Sequence, residues 1–276
     1  MNAIDGGIER RVTIRSRVPE LHFMRILVTN DDGVHAPGLG VLERIALALS
    51  DDVFVVAPET DQSGVAHSLS LNDPLRLRKI SERRYAVKGT PTDCVIMGVR
   101  HILAAAKPDV VLSGVNSGQN VAEDVIYSGT VAGALEGTIL GIPSISLSQA
   151  YGRRTNRENA HWDCAGTHAP ALIGKILAEG IPPNVVININ FPDCPADEMQ
   201  GVAVTVQGRR GYIVKIDARA DGRGNPYYWI AFDRPDSAPG QGTDLEALAQ
   251  NRISVTPLRL DLTDTPTLTR YAQALR

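Results

Sequence analysis

Residues 24–58 read MRILVTNDDGVHAPGLGVLERIALALSDDVFVVAP, and this stretch decides the fold. A short apolar run, 24–29, breaks at Asn30-Asp31-Asp32-Gly33. Pro37 and Gly38 follow, and Leu39, Leu42, Ile45, Ala46 and Leu49 then recur at helical spacing. A second apolar run, 53–57, stops at Pro58. Runs that are continuously apolar, rather than alternating, belong to strands covered on both faces.

The theme repeats along the chain. Apolar runs at 110–113, 145–148 and 185–189 read as strands, with helical stretches near 92–106, 130–140 and 165–178. The expected fold is α/β, a Rossmann-like, mostly parallel sheet with helices on both faces. In such open sheets, sites lie outside the C-terminal strand ends, where the strand order reverses. Each chemically suggestive cluster here follows a strand.

The later part reads differently. Segments 202–206, 212–217 and 227–232 look like strands, and Asp221-Gly222-Arg223-Gly224-Asn225-Pro226 is a hairpin turn signal. Residues 253–256 form another short strand, and Asp264 with Pro266 opens a last helix carrying Leu268, Tyr271, Ala272 and Leu275. A protruding hairpin at about 209–232 and a helix at about 264–276 either serve assembly or pack on their own core. The expected organisation is one domain over 24–276. The preceding 1–23, with Arg10, Arg11, Arg15 and Arg17 and no apolar core, reads as an extension outside the fold and not as a signal peptide.

Composition narrows the function. The 276 residues hold 28 Lys plus Arg against 31 Asp plus Glu, a net charge of −3, so a nucleic-acid polymer is not an expected partner. No stretch is apolar enough to span a bilayer, and no membrane partner is expected. The three cysteines, Cys94, Cys164 and Cys194, make no C-x-x-C pair, which fits a reducing cytoplasm. There is no P-loop, no complete dinucleotide fingerprint, no G-x-S-x-G elbow and no H-E-x-x-H.

Four clusters carry the candidate chemistry. Asp31 and Asp32 lie just past a strand end, where a turning backbone lets both carboxylates converge. Like charges that close need a cation or a raised pKa, and oxygen donors suit a hard ion. An ordinary turn, with Gly33 supplying positive φ, explains the tetrapeptide equally well. Ser113-Gly114-Val115-Asn116-Ser117-Gly118-Gln119-Asn120 offers amides and hydroxyls among glycines, with Asn116 suited to a metal or a phosphate, or forms a plain loop. Tyr127-Ser128-Gly129-Thr130 opens a helix, whose N-terminus binds anions or is merely capped by Ser128 or Thr130. The long loop 58–74 contains Ser63, within reach of a metal or simply a turn residue. His67 in that loop and His35 after the aspartates are weak general-acid candidates. Together the clusters suit metal-assisted hydrolysis of a phosphate ester. A nucleotide-sensing module without turnover is the alternative, and a deacetylase would need more histidines near the pair.

Several longer segments carry a resemblance. MRILVTNDDG (24–33), GTPTDCV (89–95), SGVNSGQN (113–120), YSGTVAGALEG (127–137), RGNPYYWI (223–230), GTDLEAL (242–248) and ISVTPLRLDLT (253–263) are similar, in order, to the SurE survival-protein family. The resemblance covers nearly everything after Met24. It implies a metal-dependent nucleotidase hydrolysing nucleoside 5′- and 3′-monophosphates, with a polyphosphatase side activity. It implies one divalent ion per subunit, Mg or Mn, on Asp31, Asp32, Ser63 and Asn116. It further implies a phosphate pocket lined by Ser128, Gly129 and Thr130 with Asn120 beside it, and a homodimer or homotetramer formed through the hairpin and terminal helix. Asp31, Asp32 and Asn116 are then the catalytic candidates. One aspartate either activates water or forms an aspartyl-phosphate. Two departures stand out. Gln62 takes the place of an arginine common before the serine, and Gln119 that of a common proline.

Overall fold

The computed structural model describes residues 24–152, 154–211, 213–233 and 239–276. The 1–23 stretch, expected to be an extension, lies outside the described residues, as does Tyr212.

The first strand, β1 (Ile26–Thr29), is buried at all four positions. It pairs in parallel with β2 (Val53–Pro58) on one side and β5 (Val110–Ser117) on the other. From β5 the sheet continues in parallel through β6 (Ser144–Gln149) and β7 (Val185–Phe191). From β2 it continues through β4 (Arg84–Lys88). Strand order therefore reverses between β1 and β5, and a crevice opens beyond their C-terminal ends. Antiparallel strands close both sides: β3 (Arg76–Ser81) pairs with β4, and β11 (Ile253–Arg259) pairs with β7 and carries β8 (Val202–Val204) in parallel. The result is a nine-stranded sheet.

Successive strand side chains point to opposite faces. Ile26 and Val28 accordingly join Leu39, Leu42 and Ile45 of α1 (Pro37–Leu47) and Ala169 and Ile173 of α5 (Trp162–Glu179) in one core. Leu27 points the other way, to Cys94 and Val95 of α2 (Pro91–Met97). The helix α4 (Gly129–Ile139) shares that second face, packed on α2, β5 and β6. The α2 start is set by a capping box, Thr90 with Asp93. The long loop after β2 is fastened there too. Thr90 Oγ1 donates to Ser68 O at 2.8 Å, and Ser70 N–H donates to Asp93 Oδ1 at 3.1 Å.

Three features depart from the sequence reading. The strand expected at 110–113 runs on to Ser117, so residues 113–117 of the expected 113–120 loop are strand, with a register shift between Ser113 and Asn116. The β3–β4 hairpin has no apolar run to announce it. All six residues of β3 are exposed, and its charged sequence RLRKIS suits an edge. The helices α3 (Asp124–Tyr127) and α6 (Asp244–Ala249) are too short for periodicity to reveal.

The C-terminal elements fall where expected. β9 (Ile213–Ala220) and β10 (Pro226–Asp233) form an antiparallel hairpin with Trp229 opposite Asp217. The turn is held by Asp221 Oδ1, which accepts from Arg223 N–H at 2.8 Å and Asn225 N–H at 2.9 Å. The last helix, α7 (Thr265–Ala274), is capped by Asp264 and buries no residue. Among the described residues, no helix is long and apolar enough to cross a membrane.

Candidate functional site

The turn after β1 is locked before any ligand arrives. Asn30 Nδ2 donates to Gly33 O at 3.0 Å, and Gly33 takes a φ of +100°, which residues with a Cβ rarely adopt. Gln62 N–H donates to Asp31 O at 2.7 Å, and Val34 N–H to Pro58 O at 2.7 Å. The β1 turn and the chain leaving β2 are thus one unit.

Asp31 is only 4% exposed and lies against the first turn of α4. Ser128 caps that helix, accepting from Val131 N–H at 3.0 Å. Thr130 Oγ1 donates to Asp31 Oδ1 at 2.5 Å. Residue 129 must be glycine for this approach, because a Cβ there would sit 2.8 Å from Asp31 Cβ and 2.9 Å from its Oδ2. Burial, and then the neighbouring Asp32 charge, push the Asp31 carboxyl up to about 7, against the opposing pull of Thr130. A carboxyl raised this far by burial, in the wall of a cleft, marks a candidate functional group.

Asp32 points elsewhere. Its Oδ2 accepts from Ser117 N–H at 3.0 Å, and its Oδ1 from Arg157 Nη2 at 3.0 Å. Burial raises its pKa, while those two partners hold it down. Arg157 Nη2 also donates to Asp61 Oδ2 at 2.9 Å. The other oxygen of Asp61 accepts from Ser63 N–H at 2.8 Å and Ser63 Oγ at 2.5 Å. Although desolvation opposes it, the sum of these donors lowers the Asp61 pKa.

Asn116, at the end of β5, donates from Nδ2 to Gly118 O at 2.8 Å. Asn120 lies at the centre of a buried clamp. Its N–H donates to Asn190 Oδ1 and its Nδ2 to Ser148 Oγ, both at 2.8 Å, while its carbonyl accepts from Asn188 and Asn190. Two residues on, Ala122 N–H donates to Asp244 Oδ2 at 2.9 Å, and Gly208 N–H donates to Asp244 Oδ1 at 2.9 Å. Asp244 is fully buried, and burial raises its pKa. The GTDLEAL segment therefore fixes the loop that faces the site.

These parts border a cleft of about 310 Å³, lined among others by Asp31, Ser63, Asn116, Asn120, Ser128 and Arg157. Of the sequence candidates, the cleft brings these first five together. Asp32 is not in the lining and is tied to Ser117 and Arg157. Gly129 leaves the space that Asp31 occupies. Thr130 is fully buried, with its hydroxyl proton on Asp31, and is not in the lining. His35 is exposed and does not line the cleft. His67 Nε2 lies 3.0 Å from Glu136 Oε2 and anchors the long loop to α4. Among the described residues, no group of three or more His, Cys, Asp or Glu is arranged to hold a metal.

Sequence reading missed Arg157 and Asp244. No motif marks an arginine in a polar loop 125 positions from its carboxylate partner. Asp244 carried a weak signal, standing directly after a Thr that caps a short helix.

An open α/β sheet with an oxygen-rich cleft at its strand-order reversal, walled by a helix N-terminus, defines a small-ligand protein suited to anions. The family model described as Survival protein SurE matches residues 26–213. A protein of Methylocella silvestris named 5′-nucleotidase SurE is 82% identical over 91% of this chain and 100% of its own length. A protein of that name from Methylorubrum extorquens is 70% identical over 92% of this chain and 100% of its own. The crystal structure of the SurE protein from Aquifex aeolicus superposes with a TM-score of 0.78 at 42% identity, covering 91% of this chain and all of that one. The chain belongs to the SurE family.

Proposed function

We propose that this chain is a 5′-nucleotidase, a phosphoric monoester hydrolase releasing phosphate from nucleoside 5′-monophosphates, with 3′-monophosphates and polyphosphate as further substrates. The observation that carries the reading is the convergence of Asp31, Asn116 and the α4 N-terminus on one cleft, in a chain matching the whole length of relatives named 5′-nucleotidase SurE.

The donor set fits one divalent ion per subunit, Mg or Mn. Two carboxylates with raised pKa values, beside the neutral oxygens of Ser63 and Asn116, form a hard, anionic set. Asp31, Asp32, Ser63 and Asn116 would hold the ion. Such an ion supplies charge neutralisation and a water of lowered pKa. The remaining work falls to the chain. As the water oxygen bonds to phosphorus and the P–O bond to the nucleoside breaks, Asp31 takes the water's proton and passes it to the departing nucleoside oxygen, while Thr130 holds its carboxylate in place. The N–H groups of the first α4 turn and the Ser128 hydroxyl receive phosphoryl oxygens, since a hydroxyl that accepts as a cap still has its own proton to donate. The Asn116 amide steadies charge on the same group. Asn120, fixed by its buried partners, keeps the facing loop still.

We further read 24–276 as one functional unit assembling as a dimer or tetramer. Val214, Ile216, Tyr228, Trp229 and Ile230 are 56–68% exposed on the hairpin, and Leu268 and Tyr271 are exposed on α7, as is Leu275 just after it. A two-stranded hairpin alone is marginal in water, which favours cover by a second copy. Three free, buried cysteines agree with a cytoplasmic home. The test is phosphate release from 5′-AMP by metal-stripped protein with Mn²⁺ restored, beside Asp31→Asn. Release that needs the ion and disappears in the variant supports the reading; no release by folded, loaded protein refutes it.

A further inference from the structure

Arg157 is the feature that the site chemistry above leaves unused. Among the described residues lining the cleft, it is the one carrying a positive charge. That lining also includes Asp31 and Asp124, and Asp32 and Asp61 flank it through Arg157 itself. A phosphomonoester dianion entering so acidic a cleft meets repulsion that one divalent ion only partly offsets. Gln62, next to Asp61, is neutral, so the cation on this wall comes from the distant loop instead.

The guanidinium is placed, not loose. A single nitrogen, Nη2, serves both Asp32 and Asp61. Among the described residues Nε and Nη1 have no acceptor, which leaves three of the five guanidinium protons available. The loop beneath is built to hold it. Asp193 accepts from Arg154 N–H at 2.6 Å and from Thr155 Oγ1 at 2.5 Å. Asn156 Oδ1 accepts from Glu158 N–H at 2.9 Å and Asn159 N–H at 3.1 Å, closing a turn around Arg157. The two carboxylates raise the pKa of Arg157, so its charge is permanent.

We propose that Arg157 is a substrate-binding residue, held on Asp32 and Asp61 so that its remaining N–H groups grip the phosphoryl group of a nucleoside monophosphate opposite the α4 N-terminus. This rests on the reading of the cleft as a phosphomonoesterase site. Planar, multi-donor arginine suits such an anion better than a point charge. A grip already present in the bound ground state acts on affinity more than on turnover.

The test uses full-length, Mn²⁺-loaded wild type, Arg157→Gln and Arg157→Lys. Calorimetry measures binding of inorganic phosphate and of Mn²⁺, and kinetics with 5′-AMP separate KM from kcat. Arg157→Gln is expected to weaken phosphate binding and raise KM by on the order of ten- to a hundredfold, with kcat changed by less than about threefold. Arg157→Lys falls between, and the unfolding midpoints of the three stay close. Phosphate affinity and KM unchanged in Arg157→Gln overturn the proposal. So does tighter Mn²⁺ binding with unchanged phosphate affinity, which would make the arginine only a stand-in for the metal. If wild type binds phosphate but turns nothing over, the hydrolase reading fails while the phosphate arm still decides the role of Arg157.

Discussion

Asp31→Asn should inactivate the protein and, without metal, make it more stable. The Asp31 carboxyl titrates near 3.8 in an unfolded chain and at about 7 in the folded one. Between those values the native state keeps a proton that the unfolded chain has lost. The stability tied to this group is therefore full below pH 3.8 and is lost as pH rises through 7. A displacement of that size corresponds to about 4 kcal/mol, all of it lost by about pH 8. Asparagine is nearly isosteric, still accepts from Thr130, and has no charge to bury. In chelator, the variant should exceed wild type by up to about 4 kcal/mol at pH 8, the gap narrowing to below about 2 kcal/mol at pH 5. Urea unfolding at both pH values, at one protein concentration, measures it. Saturating Mn²⁺ should then raise the midpoint of wild type and leave the variant nearly unmoved. A variant no more stable than wild type at pH 8, or a gap that does not shrink on acidification, would refute the claim that burial of this carboxylate is an unrelieved cost in the metal-free fold.

Other consequences follow from the same geometry. Thr130→Val removes the one hydroxyl on Asp31 and should lower kcat/KM for 5′-AMP about ten- to a hundredfold in steady-state assays. Gly129→Ala drives a methyl into Asp31. It should destabilise by about 1–3 kcal/mol with a large loss of activity, whereas Gly222→Ala, with open space around it, changes neither. Asp244→Ala strands the buried N–H groups of Ala122 and Gly208. Urea unfolding should show a loss of about 3 kcal/mol, and KM should rise as the 118–122 segment loosens. Trp229→Asp with Ile230→Asp should reduce the light-scattering mass towards that of one 29.7 kDa chain, while far-UV dichroism stays unchanged.

What the sequence made legible, and what it did not, has physical causes. Apolar runs announce strands buried on both faces, so β1, β2, β5, β6 and β7 were readable, and with them the crevice beside β1 and β5. An edge strand has no such run. β3 keeps its solubility through charge, and the same charge hides it. In the site, Asp31, Asp32, Asn116 and Ser128 stand next to strand or helix ends, where local sequence and position in the fold are tightly linked. The hydrogen bond from the Thr130 hydroxyl to Asp31 spans 99 positions of chain, a pairing that spacing does not encode. Arg157 and Asp244 reach the site across 125 and 122 positions of chain. Only the folded sheet brings them there.

The most direct measurement is phosphate release from 5′-AMP, 3′-AMP and p-nitrophenyl phosphate by metal-stripped protein, before and after Mg²⁺ or Mn²⁺ is restored, with Asp31→Asn alongside. The account predicts release from 5′-AMP that requires the ion and vanishes in the variant. Metal-independent release, or undiminished release by Asp31→Asn, would contradict it.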